Sequence, residues 1–211
     1  MLHPRKLDFV RALRRAPFTG FFVFAYSFTF IAILLFLPGG LVSAPGRYGF
    51  SIETLADHQY WRMFTALIVP RDPLRLVEQI AFSVVMVGVF EWSNGPVRAM
   101  ALFILSDVTA KVLLVQLLLG PLGPTLSFGN PDILTTFDLG MSAGGMALLA
   151  ATVHRYSSGW RIWAYLGSMG FLVAKILIWP QPLSDLMHLI TFNLGFVLAP
   201  LFRSNTVAAR S

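Results

Sequence analysis

The sequence predicts an all-α, polytopic membrane protein built as a bundle of six transmembrane helices. Three observations predict it. Apolar residues make up 56% of the 211 residues and charged residues only 12%, about half the ~25% usual in soluble chains. Mean hydropathy is +0.70. The apolar runs are long and continuous rather than alternating, which favours spanning helices over a membrane β-barrel.

Each element can be justified in order. Residues 1–17 form a basic tail carrying Arg5, Lys6, Arg11, Arg14 and Arg15. An apolar run from Phe18 to Val42 follows. A cleavable leader is the rival reading, because Val42-Ser43-Ala44 loosely resembles a cleavage site. The run exceeds the roughly 7–15 residues of a leader core, and Pro45 would follow the cut, so it is expected to stay as a span. The first span is expected from Thr19 to about Leu41, stopped by Pro38-Gly39-Gly40. The second is expected from about Leu74 to Trp92, stopped by Ser93-Asn94-Gly95-Pro96, and the third from about Val97 to Leu119, stopped by the Gly120–Pro124 run. The fourth runs from about Leu139 to His154, the fifth from about Trp160 to Ile178, and the sixth from about Leu183 to Phe202. The membrane domain thus covers residues 18–203, with a short tail over 204–211. The fourth span has roughly 16 residues against the usual 20 or so. A short helix starts below the membrane surface, where a polar cavity has room to open.

Positive charge orients the chain. Arg98 lies between spans two and three, Arg155 and Arg161 between spans four and five, and Arg203 and Arg210 after span six. These and the basic N-terminal tail fall on one side of a six-span bundle, so both termini are expected in the cytoplasm and the protein in the cell (plasma) membrane. The outer loop over residues 43–73 is the exception, with Arg47, Arg62 and Arg71. It is long for a loop without a role. Ser51-Ile52-Glu53-Thr54-Leu55-Ala56 offers a helix start, and Tyr60, Trp61 and Phe64 make the segment amphipathic. Ordered structure lying in the membrane interface is expected there.

Net charge is +6 and the pI about 10.2, a balance that in a soluble protein would raise nucleic acid as a partner. Topology explains these charges better, so the lipid bilayer is expected as a partner and nucleic acid is not. The chain has no cysteine, hence no disulfide framework or thiolate metal site. His3, His58, His154 and His188 are too scattered to form a metal cluster, and neither metal nor cofactor is expected.

Ser142 and His188 are the candidate chemistry. Ser142 sits in Gly140-Met141-Ser142-Ala143-Gly144, near the start of span four. His188 lies about six residues into span six, in Asp185-Leu186-Met187-His188. Both spans run inward, so at about 1.5 Å per residue both residues lie within roughly 10 Å of the outer surface. Matched depth permits a Ser–His hydrogen bond if the two spans pack together. A serine hydroxyl needs a base to become a nucleophile, and neutral histidine suits that task. The span-four N-terminus supplies unpaired N–H groups for an oxyanion. Gly140, Gly144, Gly145 and Gly195 let helices approach closely. The plainer alternative is a packing serine in a glycine-rich span; an intramembrane histidine is more often functional.

These residues carry a resemblance. Trp61-Arg62-Met63-Phe64-Thr65 resembles the W-R-x-x-T signature of rhomboid intramembrane serine proteases. Glu91 stands where those proteins carry a glutamate at the end of span two. Gly140-Met141-Ser142 resembles their G-x-S, and His188 with Gly195 resembles the histidine and second glycine of A-H-x-x-G-x-x-x-G. The likeness covers about Trp61 to Pro200 in matching span order. Asp138 and Asp185, in Asp-x-Gly-x-Ser and Asp-x-x-His, resemble a divergent, actinobacterial-type rhomboid-like group. The resemblance implies a six-helix rhomboid-like bundle, Ser142 as nucleophile and His188 as general base. It implies hydrolysis of peptide bonds in or near the helix of a transmembrane protein substrate.

The sequence also departs from that pattern. Arg75 and Gln79 stand where rhomboids carry H-x-x-x-N in span two, and both are hydrogen-bond donors. Gln79, Arg75, Gly140 and Asp185 are therefore the expected supports for the oxyanion and the histidine. Arg75 has the alternative of neutralising Glu78 or a lipid phosphate, and Asp185 that of capping span six. Ala143, Met146 and Thr191 replace the family's glycine, tyrosine and glycine. These changes motivate a second function, a catalytically inactive rhomboid-like protein that binds membrane-protein clients. A third, a small transporter, is motivated by Asp107, Lys111 and Lys175. Asp107 and Lys111, four apart on span three, are expected to pair with each other. Lys175 is expected to snorkel or find a carboxylate. Glu91 is expected to anchor a loop or backbone N–H groups.

Overall fold

The computed structural model describes residues 16–120 and 131–202. The basic tail up to residue 15, the stop at Pro121 and Pro124, and the tail from Arg203 lie outside the described residues. Nine helices are used below: α1 (Pro17–Phe36), α2 (Gly40–Tyr48), α3 (Ile52–Ala56), α4 (Arg62–Thr65), α5 (Pro73–Asn94), α6 (Pro96–Leu119), α7 (Ser142–Val153), α8 (Ser158–Ile178) and α9 (Pro182–Leu198), which runs on as a 3₁₀ turn to Phe202. No strand occurs among the described residues; Phe50 and Asp138 form an isolated antiparallel bridge.

Five of these helices, α1, α5, α6, α8 and α9, are long and apolar enough to cross a membrane. The expected fourth span is the difference. It begins at Ser142 rather than Leu139 and holds 12 residues, about 18 Å at 1.5 Å per residue, against about 30 Å of hydrocarbon. The reason lies before it. Asp138 exchanges both backbone hydrogen bonds with Phe50, at 2.7 and 3.2 Å, and Gly140 turns the chain at a φ of +110°. Backbone committed to a bridge and a left-handed turn cannot also join the helix.

The first span also ends earlier than expected, at Phe36 rather than Leu41. Pro38 lacks the N–H a continuing helix needs, and Gly39 at a φ of +83° turns the chain. The apolar residues beyond it start α2. At the other end, Glu91 accepts hydrogen bonds from Phe18 N, Thr19 N and Thr19 Oγ1 at 2.7–2.8 Å. It caps α1 from the last turns of α5, the anchoring role expected of it. Inside α5, Ser83–Val87 form a π-helical turn. Such turns occur often near functional sites. Before this turn Gln79 and Phe82 lie against Gly140 and Gly145, and after it Gly88 packs beside Thr19.

The long outer loop is ordered. Ser51 caps α3 with a reciprocal capping box to Thr54, as its sequence predicts. Arg62 donates to Gly46 O (2.7 Å) and lies over the Trp61 ring at 5.1 Å. Phe50, Ile52, Leu55 and Met63 are buried against Ala110 and Leu114 of α6, while Tyr60, Trp61 and Phe64 stay exposed. This is the one-sided burial expected of the loop. Half of the residues in the apolar stretch of α6 are buried, against 6% in that of α8. So α6 is the central helix and α8 the peripheral one.

Candidate active site

The tightest helix contact in the bundle brings the two candidate residues together. A Cβ placed on Gly195 of α9 would lie 2.2 Å from Ala147 O on α7, so only glycine permits this approach. Gly144 and Gly145 make similar room: added Cβ atoms would lie 2.6 Å from the Phe103 ring and 2.1 Å from the Phe82 ring. Seated this closely, α7 and α9 place Ser142 Oγ 2.8 Å from His188 Nε2. If the hydroxyl donates, the imidazole carries its proton on Nδ1, an assignment made from this contact.

Ser142 is the first residue of α7. The N–H groups of a first helical turn have no intrahelical partner, so those starting at Ser142 are available to an incoming oxygen. The two N–H groups before it are spent. Gly140 N donates to Ala66 O at 2.8 Å, and Met141 N donates to Gln79 Oε1 at 3.2 Å. That second bond orients the Gln79 amide and leaves its NH₂ as donor. A Cβ on Gly140 would lie 3.0 Å from that amide, so this turn is restricted to glycine both by φ and by its neighbour.

Ser142 and His188 open onto a cavity of about 360 Å³, which Gln79 and Met146 also line. The chain matches no protein-family model and no curated protein.

Two of the expected supports are placed differently from their expected roles. Arg75 lines the cavity, but its Nη1 pairs with Glu78 Oε2 at 2.6 Å, both side chains well exposed. The spacing of three along α5 explains this: it puts the Glu78 carboxylate on the same face as Arg75. Asp185 does not orient the His188 ring. Its Oδ1 accepts from Lys175 Nζ (2.5 Å) and its Oδ2 from Gln181 N (2.6 Å). It thus closes the first turn of α9, the capping alternative. Gln79 and Gly140, in contrast, lie directly beside the Ser142 turn.

Residues outside the expected set complete the cavity wall. Arg71 reaches it while donating to Phe137 O at 2.8 Å. Its place in a long ordered loop was the only sequence signal. Asp138 lines the same cavity. Loss of water around its carboxyl raises it to about 6, Asp107 adding to the rise while Lys111 and Arg71 oppose it.

A second buried polar group lies behind the site. Lys111 Nζ donates to Asp107 Oδ2 (2.6 Å) and Met63 O (2.8 Å), and sits 5.5 Å from the Phe50 ring centre. Both side chains are 1% exposed. Lys111 thereby ties the outer loop to α6. Ala66, just after α4, holds Gly140 N, so the tie extends to the serine turn.

Proposed function

We propose that the chain is a rhomboid-like intramembrane serine protease of the cell membrane, with α7 as its sixth embedded helix and both termini in the cytoplasm. The observation that carries the reading is the 2.8 Å contact between Ser142 Oγ and His188 Nε2 at a cavity that Gln79, Arg71 and Lys175 also line. Five apolar spanning helices supply the membrane setting. The arginines between spans two and three, four and five, and after span six supply the orientation.

In this proposal a substrate helix unwinds beside the cavity and presents a peptide carbonyl to Ser142. Ser142 Oγ attacks the carbonyl carbon as its proton passes to His188 Nε2. The oxyanion is held by first-turn N–H groups of α7 and by the Gln79 NH₂. The C–N bond breaks, and His188 returns the proton to the departing amine. Water, deprotonated by the same imidazole, then releases the acyl group from Ser142.

The deciding measurement is cleavage of a model transmembrane helix by the purified chain, with phosphonate labelling of Ser142. Wild type should cleave and label, and Ser142→Ala and His188→Ala should each lose at least about 10³-fold in rate. A folded chain that neither labels nor cleaves would instead be a client-binding protein. One observation favours that second reading: Arg75, an expected donor to the oxyanion, is paired with Glu78. The charges that motivate a transporter are paired, Asp107 with Lys111 and Lys175 with Asp185.

A further inference from the structure

The wall of the Ser142 cavity carries more cations than carboxylates. Lys175, Arg71 and Arg75 supply three cations to its wall, against the carboxylates of Glu78 and Asp138. Glu78 is already held by Arg75. Each guanidinium has five N–H donors and the ammonium three. Lys175 spends one on Asp185, and Arg71 spends one on Phe137 O.

Lys175 is the best placed of the three. Its partner Asp185 is 5% exposed and fixed at the start of α9, whereas Lys175 is 29% exposed. The carboxylate of the pair is thus enclosed by protein, and Lys175 lines the cavity. Asp185 and His188 are three residues apart on α9, hence on one face with Cβ atoms about 5–6 Å apart. The ammonium thus stands about one helical turn from the imidazole. At about 3.3 Å per residue in an extended segment, a group bound to Lys175 lies one to three residues from a bond held at Ser142.

We propose that this cavity takes a membrane polypeptide bearing an aspartate or glutamate within about three residues of the bond presented to Ser142, its carboxylate received by Lys175. The position of that bond rests on the protease reading; recognition of the carboxylate does not. The carboxylate joins Asp185 on the ammonium rather than displacing it, since two of the three N–H donors remain. Arg71 adds a further cation on the same wall.

Binding tests this without relying on turnover. The full chain carrying Ser142→Ala is placed in phosphatidylcholine nanodiscs. Model transmembrane peptides are titrated in, with Asp or Asn at successive positions of the half near the cavity. At one position or a short run of positions the Asp peptide should bind at least about tenfold tighter. Lys175→Arg should keep the preference, and Lys175→Met with Asp185→Asn should abolish it. The swapped pair, Lys175→Glu with Asp185→Lys, restores opposite charges at the cost of the cap on Gln181 N, and in its folded form should turn the preference toward a Lys peptide. A merely structural Lys175 would not produce that reversal. Equal affinity for Asp and Asn peptides at every position overturns the proposal. So does a preference that Lys175→Met with Asp185→Asn leaves intact, or one that phosphatidylglycerol in the disc removes in proportion to its share, which would give Lys175 to lipid phosphate. Acid-selective binding by a chain that shows no Ser142-dependent cleavage upholds this proposal and counts against the protease reading alone.

Discussion

Gly195 lies so close to Ala147 that a methyl group in place of its hydrogen would stand 2.2 Å from the Ala147 carbonyl oxygen and 2.4 Å from its Cα. That contact, not the serine or the histidine, sets the distance between α7 and α9. Backbone atoms cannot swing aside as a flexible side chain can. Gly195→Ala should therefore push the helices apart and destabilise the fold by about 1–3 kcal/mol or more. Phosphonate labelling of Ser142 should fall further than stability alone accounts for, because the Ser142–His188 hydrogen bond has little slack. Labelling and thermal unfolding of the purified variant, measured together, check this. Wild-type labelling in Gly195→Ala would show that the dyad does not depend on this packing.

Gln79 offers a second prediction because it is held at one end only. Its oxygen takes Met141 N–H, while its NH₂ remains for an oxyanion. Gln79→Leu preserves bulk against Gly140 and removes both functions. The rate constant for cleavage should fall about 10²-fold with KM little changed, since an oxyanion donor acts only in the transition state. A rise in KM at unchanged kcat would assign Gln79 to substrate binding instead.

The Asp107–Lys111 pair is buried, and Asp107 Oδ1 has no hydrogen-bond partner among the described residues. Removing either charge leaves the other stranded in a dry environment. Lys111→Met or Asp107→Leu alone should cost about 3–5 kcal/mol, and the double variant much less than the sum of the two. Some loss should persist in the double variant, because Lys111 also holds Met63 O at 2.8 Å. Unfolding of the two single variants and the double variant gives the coupling energy. Strict additivity would mean that the two side chains do not act as a pair.

What the sequence made legible follows from how local each cause is. Matched depths of Ser142 and His188 could be read from span order, and the cap at Ser51 from its own short segment. Glu91 could be read as an anchor because a carboxylate at a span end has few other uses. The helix count was not legible in the same way. Hydropathy sees Leu139 to His154 as one apolar run, but α7 starts only at Ser142 because a bridge from Phe50, 88 positions before Asp138, claims the preceding backbone. The Arg75 and Asp185 roles turned on choices among neighbouring partners. Glu78 lies three residues from Arg75, and Lys175 meets Asp185 only after the chain turns at Trp179 and Pro180.

Asp138 carries a prediction whose sign is specific. Its carboxyl is raised from 3.8 to about 6 by loss of water, against which Lys111 and Arg71 act only in part. Between about pH 4 and 6 the folded chain therefore holds a proton that the unfolded chain has released. The contribution of Asp138 to stability is fully present below about pH 4 and is lost as pH rises through about 6. Asp138→Asn keeps the shape of the neutral acid and removes the ionisation. Relative to wild type it should be no more stable at pH 4 and more stable at pH 7.5, by about 1–3 kcal/mol. Other carboxylates titrate in the same range, so the quantity to follow is the difference between the variant and wild type across pH. A difference that stays flat from pH 4 to 7.5 would mean that the Asp138 carboxyl is well solvated, and that the bridge to Phe50 holds the Ser142 turn without burying a charge.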